Sequence, residues 1–163
     1  MKSAQLNGLP LVTIYTDGAC LGNPGPGGYG VVLLYGDRRL ELAAGYKLTT
    51  NNRMEMMAAI VGLRELKEPS QVILYSDSRY VVDAISKGWA KKWQAKGWQR
   101  NAKEKAKNPD LWAEMLSLCD QHQVSFNWVK AHAGNRENER CDRLAVEAAK
   151  TKATLIDDGF GKV

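Results

Sequence analysis

Residues 11–36, LVTIYTDGACLGNPGPGGYGVVLLYG, decide how the chain begins to fold. Within them Gly25, Gly27 and Gly30 match the G-x-G-x-x-G pattern of dinucleotide-binding turns, which need a strand before the glycines and a helix after them. The β-branched and aromatic run LVTIYT before them is typical of a strand. The run YGVVLLY after them has strand length and no helical periodicity. The segment therefore predicts two strands joined by a wide glycine-rich turn, and the dinucleotide-binding interpretation loses its mechanism.

Length and composition favour one globular domain. The chain has 163 residues, enough for a core without disulfide or metal staples, and we expect a single domain over 1–163 with a core at about 11–150 and a C-terminal tail at 151–163. No apolar run approaches the roughly 18 residues that cross a bilayer, and the N-terminus lacks a signal-peptide apolar region. Three scattered cysteines favour reduced thiols in a cytoplasm. We expect a cytoplasmic protein without membrane association.

The order of elements predicts a mixed sheet. Three strands come first, at about Leu11 to Thr16, Tyr29 to Tyr35 and Leu40 to Lys47, and their short connections make them antiparallel neighbours. A helix over TTNNRMEMMAAIVGLRELKEP, the buried strand QVILYS, a helix from about Ser78, a basic stretch, a helix at 109–121, the strand VSFNWV and a helix at 135–150 follow. The fold class is therefore α/β, a five-stranded mixed sheet with three antiparallel strands, then parallel β-α-β units, flanked by helices.

Four carboxylates stand at positions where they can meet. Asp17 and Asp77 each end a strand, and the carboxyl ends of neighbouring parallel strands share one rim of the sheet. Glu55 lies in the first turn of its helix, above a face of small residues that lets the helix approach the sheet. Asp142 shares its helical face with alanines and a valine. Converging acids without nearby cations repel one another, and hard divalent cations such as Mg²⁺ relieve that repulsion.

Each acid also has a simpler interpretation. Asp17 could be a turn residue before Gly18, and Asp77 a helix N-cap. Glu55 could complete a capping box with Asn52, and Asp142 could be one more charge on an exposed helix. His132, in a glycine-containing loop before the last helix, could be merely exposed, or could carry protons to a metal site.

The excess positive charge is local. The chain carries a net charge of +5, and between Lys87 and Lys107 eight cations face Glu104 as the one anion. Three tryptophans alternate with these lysines, which suits binding to a phosphate backbone. The alternative is a small satellite core under solvated lysines. This stretch, residues 87–107, is called the basic segment below.

Five motifs together resemble the type 1, bacterial-type ribonuclease H. They are TDGACLGNPGPGGYG, TTNNRMEMMAAI, SDSRYV, the basic segment and WVKAHAGNRENERCDRLA, in order along almost the whole chain. The resemblance implies the ribonuclease H-like fold and hydrolysis of the RNA strand of RNA·DNA hybrids, with 5′-phosphate and 3′-hydroxyl products. It also implies two Mg²⁺ ions per site with substrate, Mn²⁺ being a plausible substitute, and a monomer is expected.

The resemblance also assigns residues. It implies that Asp17, Glu55, Asp77 and Asp142 bind metal, and that His132 is a mobile catalytic histidine. The residues that it implies for substrate binding lie in the glycine-rich loop, at the start of the first helix, just after Asp77, and in or directly after the basic segment. They are Cys20, Asn23, Thr50, Asn51, Asn52, Arg79, Trp89, Lys91, Lys92, Trp93, Lys96, Trp98 and Asn108. In this family the loop after Asp17 faces the minor groove, where the 2′-hydroxyls distinguish RNA from DNA.

Two residues depart from the family's pattern. Ala131 stands before His132 where glycine is usual, which restricts the freedom of the loop. Arg79 stands where bacterial-type members often carry glutamine, close to the predicted metal rim, where it could add a phosphate or base contact. Two other functions remain possible at this stage: another nuclease or transposase of the same architecture, and a catalytically weak module that binds hybrids or double-stranded RNA.

Overall fold

A computed structural model describes residues 5, 6 and 8–161 of the chain. Residues 1–4, 7, 162 and 163 lie outside the described part, which removes half of the N-terminal stretch 1–10 on which the expectation of no signal peptide rests. The strands are β1 (Gln5–Leu6), β2 (Leu9–Cys20), β3 (Gly25–Tyr35), β4 (Arg38–Thr49), β5 (Gln71–Ser76), β6 (Gln123–Trp128) and β7 (Ala153–Leu155). The helices are α1 (Asn51–Arg64), α2 (Arg79–Ser86), α3 (Trp89–Ala95), α4 (Pro109–Gln121) and α5 (Arg136–Thr151).

The predicted five-stranded mixed sheet is confirmed. The strand order is β6-β5-β2-β3-β4-β7, and β1 pairs with β2 outside this path. β2, β3 and β4 are antiparallel neighbours, whereas β5 runs parallel to β2 and β6 parallel to β5. Two short strands, β1 and β7, extend the prediction, and β7 brings part of the C-terminal tail into the sheet beside β4.

The helices begin and end close to where the sequence predicts. Thr50, Ser78 and Asn135 cap α1, α2 and α5 with side chains that accept a backbone N–H bond. α4 spans Pro109–Gln121 as predicted. Proline is tolerated at its first position, Pro109, because the N–H that proline lacks would have no partner within the helix there.

The glycines near the start of the chain are needed more for helix packing against β3 than for the turn that precedes it. The turn itself is short, Leu21–Pro24, and the glycines that follow it belong to β3. A Cβ on Gly27 would lie 3.1 Å from Met54 of α1, whereas a Cβ on Gly28 would lie 2.6 Å from the carbonyl oxygen of Ala145 in α5. Because successive residues of a strand face opposite sides of the sheet, α1 and α5 cover opposite faces. The predicted turn was wider than the observed one. The absence of side chains at these glycines makes room for α1 and α5 instead.

Gly30 sets the position of α5. A Cβ there would overlap the carbonyl oxygen of Cys141 and lie 2.8 Å from the Leu144 Cβ. We expect Gly30→Ala to lower the free energy of unfolding by about 2–3 kcal/mol, because overpacking against helix backbone cannot relax by a change of rotamer. Urea denaturation measures this. Gly134→Ala is the control: it has open space at φ +84, so only left-handed strain of about 1 kcal/mol is expected. Equal losses in the two variants would contradict the packing explanation.

Candidate active site

Asp17 and Asp77 lie side by side at the carboxyl rim of the sheet. β2 and β5 are parallel, and their register pairs Thr16 with Ser76, so the next residue of each chain segment is an aspartate. Asp17 is almost completely buried, and Asp77 is half-buried. The predicted meeting of these two acids is therefore confirmed. Asp77 is not the cap of α2, because the Ser78 side chain fills that position.

Glu55 reaches the same rim from α1. Gly18 has no side chain to separate β2 from the helix: a Cβ there would lie 2.9 Å from the Met54 Cβ and overlap the backbone of Glu55. The Gly18 N–H donates to a carboxylate oxygen of Glu55 and to Asp17 Oδ1, at 2.9 Å in the second case. Glu55 is 4% exposed. The capping-box interpretation of Glu55 with Asn52 is wrong, because Thr50 caps this helix.

Three of the four predicted acids form a tight cluster. One carboxylate oxygen from each of Asp17, Glu55 and Asp77 lies within 4.8 Å of the others. Asp142, on α5, lines the same cavity of about 290 Å³ without belonging to that closest group. The other residues that line this cavity are Gly18, Asn51, Ser78, Ala131 and His132.

The cluster is electrostatically strained. Burial, together with the charges of Asp77 and Asp142, raises the pKa of Asp17 to about 7. Burial raises the pKa of Glu55 well above its usual range, and the neighbouring Asp17 adds to this. Within residues 8–161 no Lys or Arg forms an ion pair with any of the four acids. Buried carboxylates without cationic partners are costly in their charged form, and oxygen-only donors suit a hard divalent cation. The residues present therefore fit Mg²⁺.

Asn138 is a site residue that the sequence did not reveal. It is 3% exposed, and its side-chain amide donates to Asp77 Oδ2 at 3.4 Å. The backbone N–H of Asn138 in turn donates to the capping Asn135 Oδ1 at 3.0 Å. Asn138 lies four residues before Asp142, hence on the same helical face, and this spacing was the available signal.

His132 lies at the edge of the acidic cavity. It lies on the exposed loop between β6 and α5 and lines the acidic cavity. Its backbone φ is +54, a left-handed conformation that is uncommon for non-glycine residues. Ala131, the departure before it, is exposed and also lines the cavity.

The basic segment has a packed inner side. Trp93 and Trp98 pack against the core, and Trp93 meets Trp112 edge to face with ring centroids 6.0 Å apart. Trp89 is 37% exposed, and with Tyr80, Trp93 and Arg100 it lines a cavity of about 310 Å³. The satellite-core interpretation is thus correct for Trp93 and Trp98, whereas Trp89 is partly exposed, with the Lys87 ammonium 5.4 Å from its ring centroid.

The outer side of the basic segment is cationic. Lys91, Lys92 and Lys96 are exposed, and in the described part of the chain none of them lies within ion-pair distance of a carboxylate. Gly97 follows the C-cap Lys96 directly and has φ +65, the left-handed conformation with which glycine commonly ends a helix. Free cations beside an exposed tryptophan form a surface suited to nucleic acid.

The predicted loop contacts lie together on the α1 side of the acidic cavity. The Asn23 side-chain oxygen accepts from the Asn51 N–H at 3.1 Å, which joins the glycine-rich turn to the start of α1. Asn51 and Asn52 are exposed. The Cys20 thiol donates to the carbonyl oxygens of Gly25 and Thr49, both at 3.4 Å.

Arg79 lies on the β6 side of the acidic cavity. Its guanidinium carbon stands 4.0 Å from the centroid of the Trp128 ring, and the Trp128 indole N–H donates to the Asp77 carbonyl oxygen at 3.1 Å. Both side chains are exposed. The stacking interaction therefore holds a cation beside the acid cluster without an ion pair to it.

The fold and this site define a class of protein: an α/β protein with a carboxylate metal site on the rim of a mixed sheet, next to a cationic surface. The sequence profile of the RNase H family matches residues 10–150. The chain is 74% identical over 152 residues to the ribonuclease HI of Synechocystis sp., covering 93% of this chain and 95% of that one. It is 65% identical over 149 residues to the ribonuclease H of Trichodesmium erythraeum, covering 91% and 95%.

Solved structures agree with these relatives. LC9-RNase H1, a type 1 RNase H with the type 2 active-site motif, superposes with a TM-score of 0.79 at 35% identity, covering 88% of this chain and 74% of that one. LC11-RNase H1, solved in complex with an RNA/DNA hybrid, gives a TM-score of 0.68 at 24% identity, over 88% and 99%, and shows likeness of fold. The chain belongs to the RNase H family, and it is an enzyme of the hydrolase class, an endonuclease.

No helix in the described part of the chain combines the length and the apolar character that crossing a lipid bilayer requires.

Proposed function

We infer that the protein cuts the RNA strand of RNA·DNA hybrids by hydrolysis, leaving 5′-phosphate and 3′-hydroxyl ends. The acid cluster of Asp17, Glu55 and Asp77 carries this conclusion, because its buried oxygens sit within 4.8 Å of one another in a protein of the RNase H family. We propose that it works as a single-domain monomer in the cytoplasm.

The four acids are proposed to hold two Mg²⁺ ions, or Mn²⁺ as a substitute. When bound, such ions lower the pKa of a water so that it can attack the phosphodiester, and they offset charge on the departing oxygen. Asp17 and Glu55 are kept in place by the shared Gly18 N–H. Asn138 donates to one oxygen of Asp77 and leaves the other available to a metal. Asp142 completes the set from α5.

His132 is proposed to move a proton. Its exposed loop reaches the rim of the acidic cavity, and a neutral imidazole can accept a proton that an imidazolium later returns. It would transfer this proton at the departing oxygen or during product release. The four acids meanwhile hold the cations that balance the charge of the reacting phosphate.

The substrate is proposed to lie across three surfaces. Cys20, Asn23, Asn51 and Asn52 face the minor groove and the RNA strand. The DNA strand is held by Thr50, Asn108 and the basic segment, namely Trp89, Lys91, Lys92, Trp93, Lys96 and Trp98. Arg79, stacked on Trp128, adds a cation on the β6 side of the cavity.

One assay separates this function from its alternatives. The protein is incubated in Mg²⁺ with end-labelled hybrid, duplex RNA and duplex DNA, with and without EDTA. Cleavage of the RNA strand of the hybrid alone, abolished by EDTA, is expected. Cleavage of duplex DNA would indicate another nuclease of this architecture, and binding without cleavage would indicate a binding module.

The basic segment should control substrate affinity. We expect the triple substitution of Lys91, Lys92 and Lys96 by Gln to raise KM with a smaller effect on kcat. It should also flatten the dependence of log binding constant on log salt by nearly one unit per lost phosphate contact, because each contact releases a counterion. Steady-state kinetics and salt titrations of hybrid binding in Ca²⁺ measure both effects.

A matched control removes three exposed lysines elsewhere. Lys47, Lys150 and Lys152 lie on β4 and at the end of α5, and their replacement by Gln changes net charge equally. If both triple variants shift KM and the salt slope by the same amount, the basic segment acts through net charge alone and the assigned surface is wrong.

A further inference from the structure

The Arg53 side chain has no free hydrogen-bond donor. It is 3% exposed and lies where α1, α4 and the C-terminal tail meet. Its Nε donates to Asp157, one terminal nitrogen donates to Asn108 and Asp110, and the other donates to Asp110 and Asp157, at 2.7–3.2 Å. A guanidinium has five N–H donors, so all of them are used. Arg53 therefore cannot bind a phosphate itself. Any effect of Arg53 on substrate binding must come through the residues that its side chain contacts.

Asn108 is oriented by Arg53. Arginine has no acceptor atom, so the group of Asn108 that faces it must be the side-chain oxygen, which accepts at 3.2 Å. The amide NH₂ then points the other way. Asn108 occupies the N-cap position of α4 without a side-chain cap bond, at φ +58, so its side chain is not used for the usual structural purpose of asparagine at a helix start.

Thr50 lies beside Asn108 and is held by the backbone N–H of position 53, independently of the Arg53 guanidinium. The Arg53 N–H donates to Thr50 Oγ1 at 3.3 Å, which leaves the hydroxyl hydrogen free to be donated. Thr50 and Asn108 both line a cavity of about 670 Å³, together with Lys105 and Lys107. Asn108 and Thr50 thus offer two neutral donors to a cavity that Lys105 and Lys107 also line, a composition that suits a phosphodiester.

The C-terminal tail completes this arrangement. The Asp157 side chain is 3% exposed and accepts from the Thr49 hydroxyl at 2.7 Å as well as from Arg53. Phe160 lines the same cavity. These residues lie beyond the 10–150 span that the family profile matches, so nothing in that match assigns them a function.

We propose that Arg53, fixed by Asp110 and Asp157, is a positioning residue that turns Asn108 toward a backbone phosphate of the DNA strand, beside the Thr50 hydroxyl. The C-terminal tail therefore contributes to substrate binding, because Asp157 fixes Arg53. This inference rests on the proposed function, since it takes the bound nucleic acid to be the hybrid.

The test compares two aspartates of the tail. Asp157→Asn removes the charge that holds Arg53, and Asp158→Asn, its exposed neighbour, removes the same charge without that contact. We expect Asp157→Asn to raise KM for hybrid about fivefold with kcat nearly unchanged, and Asp158→Asn to change neither. Asn108→Ala should raise KM about tenfold, since one charge-assisted hydrogen bond is lost.

A double variant separates positioning from mere stabilisation. If Arg53 acts through Asn108, Asp157→Asn adds nothing to KM once Asn108 is alanine, although it still lowers the melting temperature in both backgrounds. A fivefold effect of Asp157→Asn that persists with Asn108→Ala would overturn the inference, and so would equal KM values for Asp157→Asn and Asp158→Asn. Should Asp157→Asn fail to fold, Asp110→Asn, whose side chain is 44% exposed, carries the same test.

A modified substrate identifies the strand. Hybrids with one neutral methylphosphonate linkage, moved along the DNA strand, should bind the unmodified protein weakly at the positions that the basic segment contacts and at one further position. Only at that further position should the loss disappear in the Asn108→Ala variant. Position-dependent loss on the RNA strand instead would overturn the strand assignment. These binding measurements use Ca²⁺, so they remain informative if cleavage in Mg²⁺ is absent, an outcome that would refute the proposed function alone.

Discussion

Asp17→Asn should lower kcat for hybrid cleavage at least about a hundredfold. The substitution keeps the size of the side chain and its bond from the Gly18 N–H, but it removes one of the two buried charges on which metal binding depends. Single-turnover cleavage of a labelled hybrid in Mg²⁺ measures the chemical step. Binding of the hybrid in Ca²⁺ should change little, because the basic segment and the α1 side of the site are untouched.

Asp37→Asn is the matched control for this variant. Asp37 is exposed in the turn between β3 and β4, at the end of the sheet away from the acid cluster, and full activity is expected. Retention of a tenth of the original kcat by Asp17→Asn would mean that the buried cluster does not hold the catalytic metal.

The metal-free protein should lose stability as the pH rises from about 4 to 7. Asp17 ionises near 7 in the folded protein against 3.8 for an unperturbed aspartate, so in this range the folded state keeps a proton that the unfolded state has released. Each pKa unit corresponds to about 1.4 kcal/mol, and Glu55 acts in the same direction. Asp17→Asn removes this penalty. At pH 7.5 in EDTA we expect the variant to be more stable by about 2 kcal/mol, or about 4–8 °C in melting temperature.

The pH dependence provides the check. At pH 4 the difference between the two proteins should nearly vanish, because Asp17 is then protonated in the folded protein. Millimolar Mg²⁺ at pH 7.5 should also reduce the difference, since the cation stabilises the unmodified protein, which retains all four acids, and not the Asp17→Asn variant. Urea denaturation at the two pH values, with Asp37→Asn as the exposed control, measures this. A stability difference that stays constant from pH 4 to 7.5 would show that the cluster is not strained by burial of charge.

Local patterns in the sequence were sufficient for most elements. Thr50, Ser78 and Asn135 were readable as helix starts because a side-chain oxygen must satisfy the free N–H groups of the first turn. The helical connection from β4 to β5 favoured a parallel strand, whereas the pairing of β5 with β2 was an assumption from the sequence. The structure pairs β5 with β2, and Asp17 and Asp77 therefore end on one rim.

Packing over long sequence distances was not readable in advance. The glycines of β3 were interpreted through the turn that they follow, whereas Gly28 and Gly30 make room for α5, more than a hundred residues later. The tail was expected to be peripheral, yet Asp157 pairs with Arg53 across 104 residues. Such contacts depend on which faces meet, and neither periodicity nor capping specifies that.

The sequence by itself determined the five main strands, the helices, the family and the four candidate acids, because each of these depends on short patterns of neighbouring residues. Only the tertiary structure decided that three acids cluster while Asp142 lines the same cavity, that Asn138 donates to Asp77, and that the fully bonded Arg53 side chain donates to Asn108. The physical reason is that the cost of burying a charge, and the partner that offsets it, arise only when distant segments of the chain exclude water together.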